Sequence, residues 1–186
     1  MKLQPALKTT IANLLADDII VLVGNTICKE AIKFKSNNIF YFYGPSAMGL
    51  SFSLGLAMHS SKRVFVFCSD DIIVSELNSV LQASMSGCNN LFILLFISGE
   101  YQAVGKINTL YKSIKSTYGL FFNMGILVNN YTHLFEEIKY NKNILKNMLS
   151  NIKGPLISFI EVTPGLSKDQ LVLETNFENV REFING

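Results

Sequence analysis

Ser69, Asp70 and Asp71 stand together directly after one apolar run, and Ser98-Gly99 follows a second, with Asp70 and Ser98 28 positions apart. Carboxylate and hydroxyl oxygens are hard donors. They suit a magnesium-like cation that fills its remaining octahedral positions with backbone carbonyls and ligand phosphates. A helix opening at the same turn would offer its free amides to those phosphates. The plainer alternative is that Asp70 and Asp71 only cap that helix. Other chemistries lack their residues. No Gly-rich turn ending in Lys-Ser or Lys-Thr follows a strand, and no strand-to-helix turn carries three glycines. There is no nucleophile elbow, and no His or Cys spacing fits a metal site.

The elements that must position these residues are legible around them. Val64–Cys68 and Leu91–Ile97 are apolar runs rich in β-branched and aromatic residues, as buried strands are. Between them the spacing predicts a helix from Ile72, with Ile73, Leu77, Val80, Leu81, Ser84 and Cys88 on one face and Gly87 and Asn89-Asn90 closing it. Strand, helix, strand make a right-handed parallel unit, so both polar turns share the carboxyl edge of the sheet, where ligands sit. Asp70 and Ser98 are then neighbours.

The same alternation runs through the rest of the chain. A first helix shows Leu7, Ile11, Leu14 and Leu15 inward, with Pro5 in its first turn, and Asp17-Asp18 end it. Ile19–Val23 is a strand, and Thr26 is placed to cap a helix reaching about Phe34. Ile39–Tyr43 is an aromatic strand. Gly44–Gly49 turns into a helix over Leu50–Met58, which Ser51, Ser53, Gly55 and Ala57 keep slim, and His59 reads as a surface cap at its end. Met48 reads equally as core. After the central unit the pattern predicts a loop over Glu100–Lys106, then a helix on Ile107, Leu110, Tyr111, Ile114 and Tyr118 stopped by Gly119. It continues with a strand at Gly125–Val128 and a helix through Leu134, Ile138, Leu145, Met148 and Ile152, flanked by His133 and carrying Glu136 and Lys139 on its surface. A last strand covers Leu156–Val162. Alternating strands and helices imply a three-layer α/β/α structure with a mainly parallel sheet, and no linker divides residues 1–186, so a single domain is expected.

Composition narrows the classes. The chain is 49% hydrophobic and 16% charged, yet no apolar run approaches the ~20 residues of a membrane helix. The surplus apolar surface is therefore expected in a subunit interface, as in a homo-oligomer. A net charge of +2 with scattered lysines gives no basic face for nucleic acid. Cys28, Cys68 and Cys88 are isolated among apolar residues and read as free thiols of a reducing cytosol. With no apolar signal core at the N-terminus, a cytoplasmic protein is expected.

Four stretches together resemble the diphosphate-binding domain of thiamine diphosphate enzymes, in particular the phosphonopyruvate and sulfopyruvate decarboxylases. They are Ser46-Ala-Met-Gly-Leu50 with Leu54-Gly-Leu-Ala57; Val64 to Asp71; Ser98-Gly99 through Val104-Gly105 and Thr109; and Gly154-Pro155 through Ile160-Glu-Val162, Pro164-Gly165, Lys168-Asp169, Glu178-Asn179 and Phe183. The resemblance runs nearly end to end. It implies that Asp70 and Ser98, with Glu100 beside them, hold Mg2+, and that Ser46, Met48, Ser69, Asp71, Ile72 and Gly99 contact thiamine diphosphate. Met48 would then wedge under the cofactor and bend it. The pattern departs from the family where ligands are carried. Asp71 replaces a glycine of the Gly-Asp-Gly turn, Ser98 replaces an asparagine, and Lys106-Ile107-Asn108 replace Gly-Gln-Pro.

What the resemblance implies for function is a subunit of a thiamine diphosphate-dependent 2-oxo acid decarboxylase. No catalytic residue is expected on this chain, because in the family the activating glutamate lies on a pyrimidine-binding domain, here expected on a partner subunit. The alternative is a non-catalytic homologue whose altered cofactor motif leaves an interaction or regulatory module. A third possibility is another phosphorylated ligand at the same edge.

Overall fold

A computed structural model of the chain describes residues 1–34, 36–101, 107–109, 117–130 and 153–165. Six strands form one parallel sheet: β1 (Ile19–Val23), β2 (Ile39–Phe42), β3 (Val64–Ser69), β4 (Leu91–Ile97), β7 (Leu127–Asn130) and β8 (Leu156–Glu161). Their order is β2-β1-β3-β4-β8-β7. Every residue of β3 and β4 is buried, because helices cover both faces. Alternation splits them between two cores. Phe65, Phe67, Phe92 and Phe96 face α1 (Leu3–Ile11) and α2 (Asn25–Ala31), whereas Val64, Val66, Cys68, Ile93 and Leu95 face α3 (Gly49–His59), α4 (Asp70–Ile73) and α5 (Leu77–Met85). Cross-strand rings set the register, with Phe65 and Phe92 centroids 4.8 Å apart and Phe67 and Phe96 5.6 Å apart. This is the expected three-layer α/β/α fold.

Strand order reverses between β1 and β3, the switch point at which such sheets open a crevice. Asp18, expected only to end α1, is 2% exposed and takes both ends of the Arg63 guanidinium at 2.6 and 2.7 Å, fixing the opposite edge of the same two strands.

Several expectations fail for local reasons. The helix after β3 is two helices, broken at Val74–Glu76, so its buried face shifts to Ile73, Glu76, Ser79, Val80 and Ala83. Leu81 is exposed, and Ser84 and Cys88 are half-buried. The helix α1 buries Leu3, Ala6, Leu7 and Thr10 and leaves Leu15 exposed. Gly24, at φ 92°, takes the cap position of α2, so Thr26 lies inside the helix rather than before it, and α2 ends at Ala31. Ile107-Asn108 is no helix start. It forms the short strand β6, antiparallel to β5 (Glu100–Tyr101). Gly119 lies within α6 (Thr117–Asn123) instead of stopping it. Asn90, expected to close α5, instead donates its side-chain amide to the carbonyls of Ala57, Ser60 and Lys62 at 2.8–3.0 Å and seals the end of α3. The expected helix through Leu134–Ile152, His133, Glu136, Lys139 and residues 102–106 and 110–116 lie outside the described residues. Among the described residues no helix is long and apolar enough to cross a membrane.

Candidate active site at the carboxyl edge of the sheet

Parallel pairing of β3 with β4 aligns Ser69 with Phe96, so the residues that follow each strand emerge side by side. Asp70 is the first residue of α4 and is 1% exposed. Four donors meet its carboxylate. Oδ1 accepts from the Ser98 amide at 3.2 Å and the Ser98 hydroxyl at 3.4 Å. Oδ2 accepts from the Gly99 amide at 3.0 Å and the Thr109 hydroxyl at 2.5 Å. The φ of 72° at Gly99 turns its amide inward, a conformation in which a side chain is strained.

Ser98 Oγ is also 3.0 Å from the carbonyl oxygen of Glu100. The Ser98 hydroxyl thus stands between one carboxylate oxygen and one backbone carbonyl, at 3.4 and 3.0 Å. Adjacent oxygens around an octahedral ion with Mg–O near 2.1 Å are about 2.9 Å apart. The donor set is hard; the 3.0 Å contact matches such an ion, and the 3.4 Å contact would have to shorten to join it. Among the described residues no group of three or more His, Cys, Asp or Glu side chains is placed to hold a metal, so the set depends on the hydroxyl and the carbonyl.

Beside it opens a small cleft of about 20 Å³. Hydroxyls of Thr26, Ser69, Ser98 and Thr163 and the residues Asp71 and Glu100 line it, with Leu3, Phe96 and Val162 as apolar wall. The N-terminus is tied to this side, since the Met1 carbonyl accepts from the Thr163 amide at 2.8 Å. Asp71 is half-buried and takes a short hydrogen bond from the Ser69 hydroxyl. Burial pushes its carboxyl up from the ordinary range. The Ser69 hydroxyl offsets part of that, the Asp70 charge adds to it, and the first amides of α4 offset part again.

No family model matches the chain. It is 31% identical over 101 residues to the sulfopyruvate decarboxylase of Methanosarcina acetivorans, a match covering 54% of this chain and 26% of that protein. It is 25% identical over 143 residues to sulfopyruvate decarboxylase subunit beta of Methanothermobacter thermautotrophicus, covering 77% and 71%. Its fold superposes on the benzoylformate decarboxylase of Polynucleobacter necessarius with a TM-score of 0.67 at 12% identity, over 88% of this chain and 33% of that one. It also superposes on the thiamine diphosphate-dependent 4-hydroxybenzoylformate decarboxylase of Rhodococcus jostii with a TM-score of 0.60 at 14% identity, over 91% and 33%. The chain is similar in sequence to sulfopyruvate decarboxylases and carries the fold of thiamine diphosphate-dependent enzymes. It spans about a quarter of the Methanosarcina protein and a third of each of the two solved structures.

Within this thiamine diphosphate-type fold, the residues expected at the site fall into two groups. Asp70, Ser98, Gly99 and Glu100 are brought together by hydrogen bonds, and Ser69 and Asp71 flank them in the cleft. Ser46 and Met48 lie in a 3-10 turn outside the cleft wall, against α4. Met48 is 56% exposed, which removes the core reading of that residue. The side chain of Ile72 is buried and covers Gly24, where an added Cβ would meet its Cδ1 at 2.0 Å, so only its backbone remains as a contact. Three further polar residues had no role assigned from the sequence, Thr109 appearing there only as the end of a resembling stretch. Thr109 is carried into reach by the β5–β6 pair, and Thr163 follows the last strand. Glu76 is buried against α3, and its signal was a carboxylate on the apolar stripe Ile73, Glu76, Leu77, Val80.

Proposed function

We propose that the chain is the diphosphate-binding subunit of a thiamine diphosphate-dependent 2-oxo acid decarboxylase acting on a substrate of the sulfopyruvate or phosphonopyruvate kind. The observation that carries this is the Ser98 hydroxyl set between Asp70 Oδ1 and the Glu100 carbonyl, at 3.4 and 3.0 Å, three hard oxygens at the carboxyl edge of the sheet. These three would hold Mg2+, and Ser69, Gly99 and the start of α4 would face the diphosphate. The cofactor, when bound, supplies an electron sink for the carbon that loses CO2. The chain's own part is to fix the anionic end, while the exposed Met48 presents an apolar surface beside it. The subunit name of the Methanothermobacter relative supports a partner, and the activating glutamate would lie on that partner's pyrimidine domain.

Calorimetric titration of thiamine diphosphate with and without Mg2+ tests this. Magnesium-dependent heat supports it, and its absence in a mixture with the partner subunit sinks it. By itself the chain is expected to decarboxylate neither sulfopyruvate nor phosphonopyruvate, because this reading places the activating glutamate on the partner's pyrimidine domain. Turnover by the purified chain alone would overturn that division of labour. A second reading, a non-catalytic interaction module, is favoured by one observation. The Asp71 carboxylate occupies the turn where a diphosphate would approach.

Self-association is expected through α3 and α5. Neither Gly49–His59 nor Leu77–Met85 contains a Lys, Arg, Asp or Glu, yet Met58 is 59% exposed, Met85 79% and Leu81 41%. Light scattering at micromolar concentration should give an oligomer, and Met85→Glu should shift it toward monomer. A strictly monomeric wild type would refute the interface.

A further inference from the structure

The break between α4 and α5 aims one buried carboxylate. Ser75 and Glu76 close three-residue turns onto the Ile72 and Ile73 carbonyls, and Glu76 adopts φ −107° and ψ 14° at the head of α5. Its side chain leaves the helix and crosses to α3, where Oε1 accepts from the Leu50 amide at 2.8 Å. Glu76 is 1% exposed, and Oε2 is buried with no hydrogen-bond partner. Burying a carboxylate with an oxygen unpaired is costly. The cap it gives the Leu50 amide at the head of α3 offsets part of that cost, and the residue has room for a further reason.

Its surroundings supply one. The positive end of the 11-residue α3 faces the carboxylate. Ser51 and Ser79 hydroxyls, 2.8 Å apart, join the same two helices one residue further on. Gly49 sits so close to the end of β1 that an added Cβ would meet Val23 Cγ1 at 2.3 Å. At the other end, Asn90 holds the last carbonyls of α3. The helix cannot slide along the sheet while these contacts stand. The 3-10 turn Ser46–Met48 is continuous with its first residues, since the Gly49 amide donates to the Ser46 carbonyl.

We propose that Glu76 is a positioning residue, fixing through the Leu50 amide the height of the Ser46–Met48 turn at the cofactor site. The assignment of that turn to the cofactor rests on the function proposed above; the mechanical link does not. Contacts held by a rigid second layer are the ones whose loss displaces a site without unfolding it.

The test uses the whole chain labelled with 13C at its six methionine methyls. Glu76→Ala should shift the Met48 resonance while Met1 and Met124 stay in place. Glu76→Gln keeps an acceptor for the Leu50 amide and should return Met48 close to its wild-type position. If Glu76→Ala does not fold, Glu76→Asp, one methylene shorter, should draw the turn toward α5 and shift Met48 in the same spectrum. An unmoved Met48, or six methyls shifting alike, overturns the proposal. With thiamine diphosphate and Mg2+, affinity should fall about 10-fold or more in Glu76→Ala and stay within about 3-fold in Glu76→Gln, the scale expected of a small displacement. A wild type that binds no cofactor even in a mixture with the partner subunit defeats the proposed function, and the Met48 spectrum then decides the positioning role by itself.

Discussion

Asp70→Ala is expected to abolish magnesium-dependent binding of thiamine diphosphate and to weaken the fold at the same time. The two effects have one origin. The Asp70 carboxylate is buried and accepts from two amides and two hydroxyls, joining the β3–α4 turn to the β4–β5 turn and to Thr109. Alanine would leave the Gly99 amide and the Thr109 hydroxyl as buried donors without partners, at roughly 1–3 kcal/mol each. A destabilisation of about 3 kcal/mol is therefore expected in urea denaturation. Because binding could be lost merely through disorder of the turn, Asp70→Asn separates the causes. Its carbonyl oxygen can still accept from part of the cluster, so most of the fold stability should return. A neutral amide is a poor substitute for a carboxylate on a hard dication, so magnesium-dependent heat should stay absent. Full cofactor affinity in a folded Asp70→Asn protein would show that Asp70 is only a clasp for the turns.

The sheet was legible because burial on both faces writes itself as uninterrupted apolar runs. Val64–Cys68 and Leu91–Ile97 became β3 and β4 with little change, and the parallel connection alone put Asp70 beside Ser98. Helix faces were less legible. A single period cannot describe a segment that stops at Val74 and restarts at Leu77, and Leu81 was placed inward for that reason. Asn90 and Glu76 were misread or passed over because side chains that cap a different element leave no local signature. The β5–β6 pair, which carries Thr109 to Asp70, is two residues per strand, too short for alternation to show. What the site binds depends on Asp71 and Ser98, and there residue identity outweighs pattern.

Asp71→Gly is expected to strengthen thiamine diphosphate binding about 10-fold, and Ser98→Asn to add to it. Asp71 opposes a diphosphate in three ways. Its charge stands in the cleft, where a like charge about 4 Å away costs about 1 kcal/mol in water and about 4 kcal/mol near a protein surface. Its carboxylate also sits close enough to the first amides of α4 to be stabilised by them, and those are donors a phosphate would use. Its side chain also fills space that a glycine would open to the backbone. Burial raises its folded carboxyl pKa above the unfolded value, so the cost of the charge is absent below the unfolded pKa and complete once the pH has risen through the folded one. At neutral pH the charge therefore opposes folding, and its loss offsets part of the roughly 1 kcal/mol that glycine costs in a helical turn. Ser98→Asn would replace a hydroxyl, now shared between Asp70 and Glu100, with a carbonyl that cannot donate and is a stronger ligand for magnesium. Titration of the wild type, each single variant and the double variant, with and without Mg2+, separates the possibilities. If the wild type gives no heat and the double variant does, the chain is a lapsed cofactor domain and the interaction module is its function. If the wild type binds and Asp71→Gly weakens it, the repulsion argument is wrong and Asp71 is a ligand of the cation or a cap of α4.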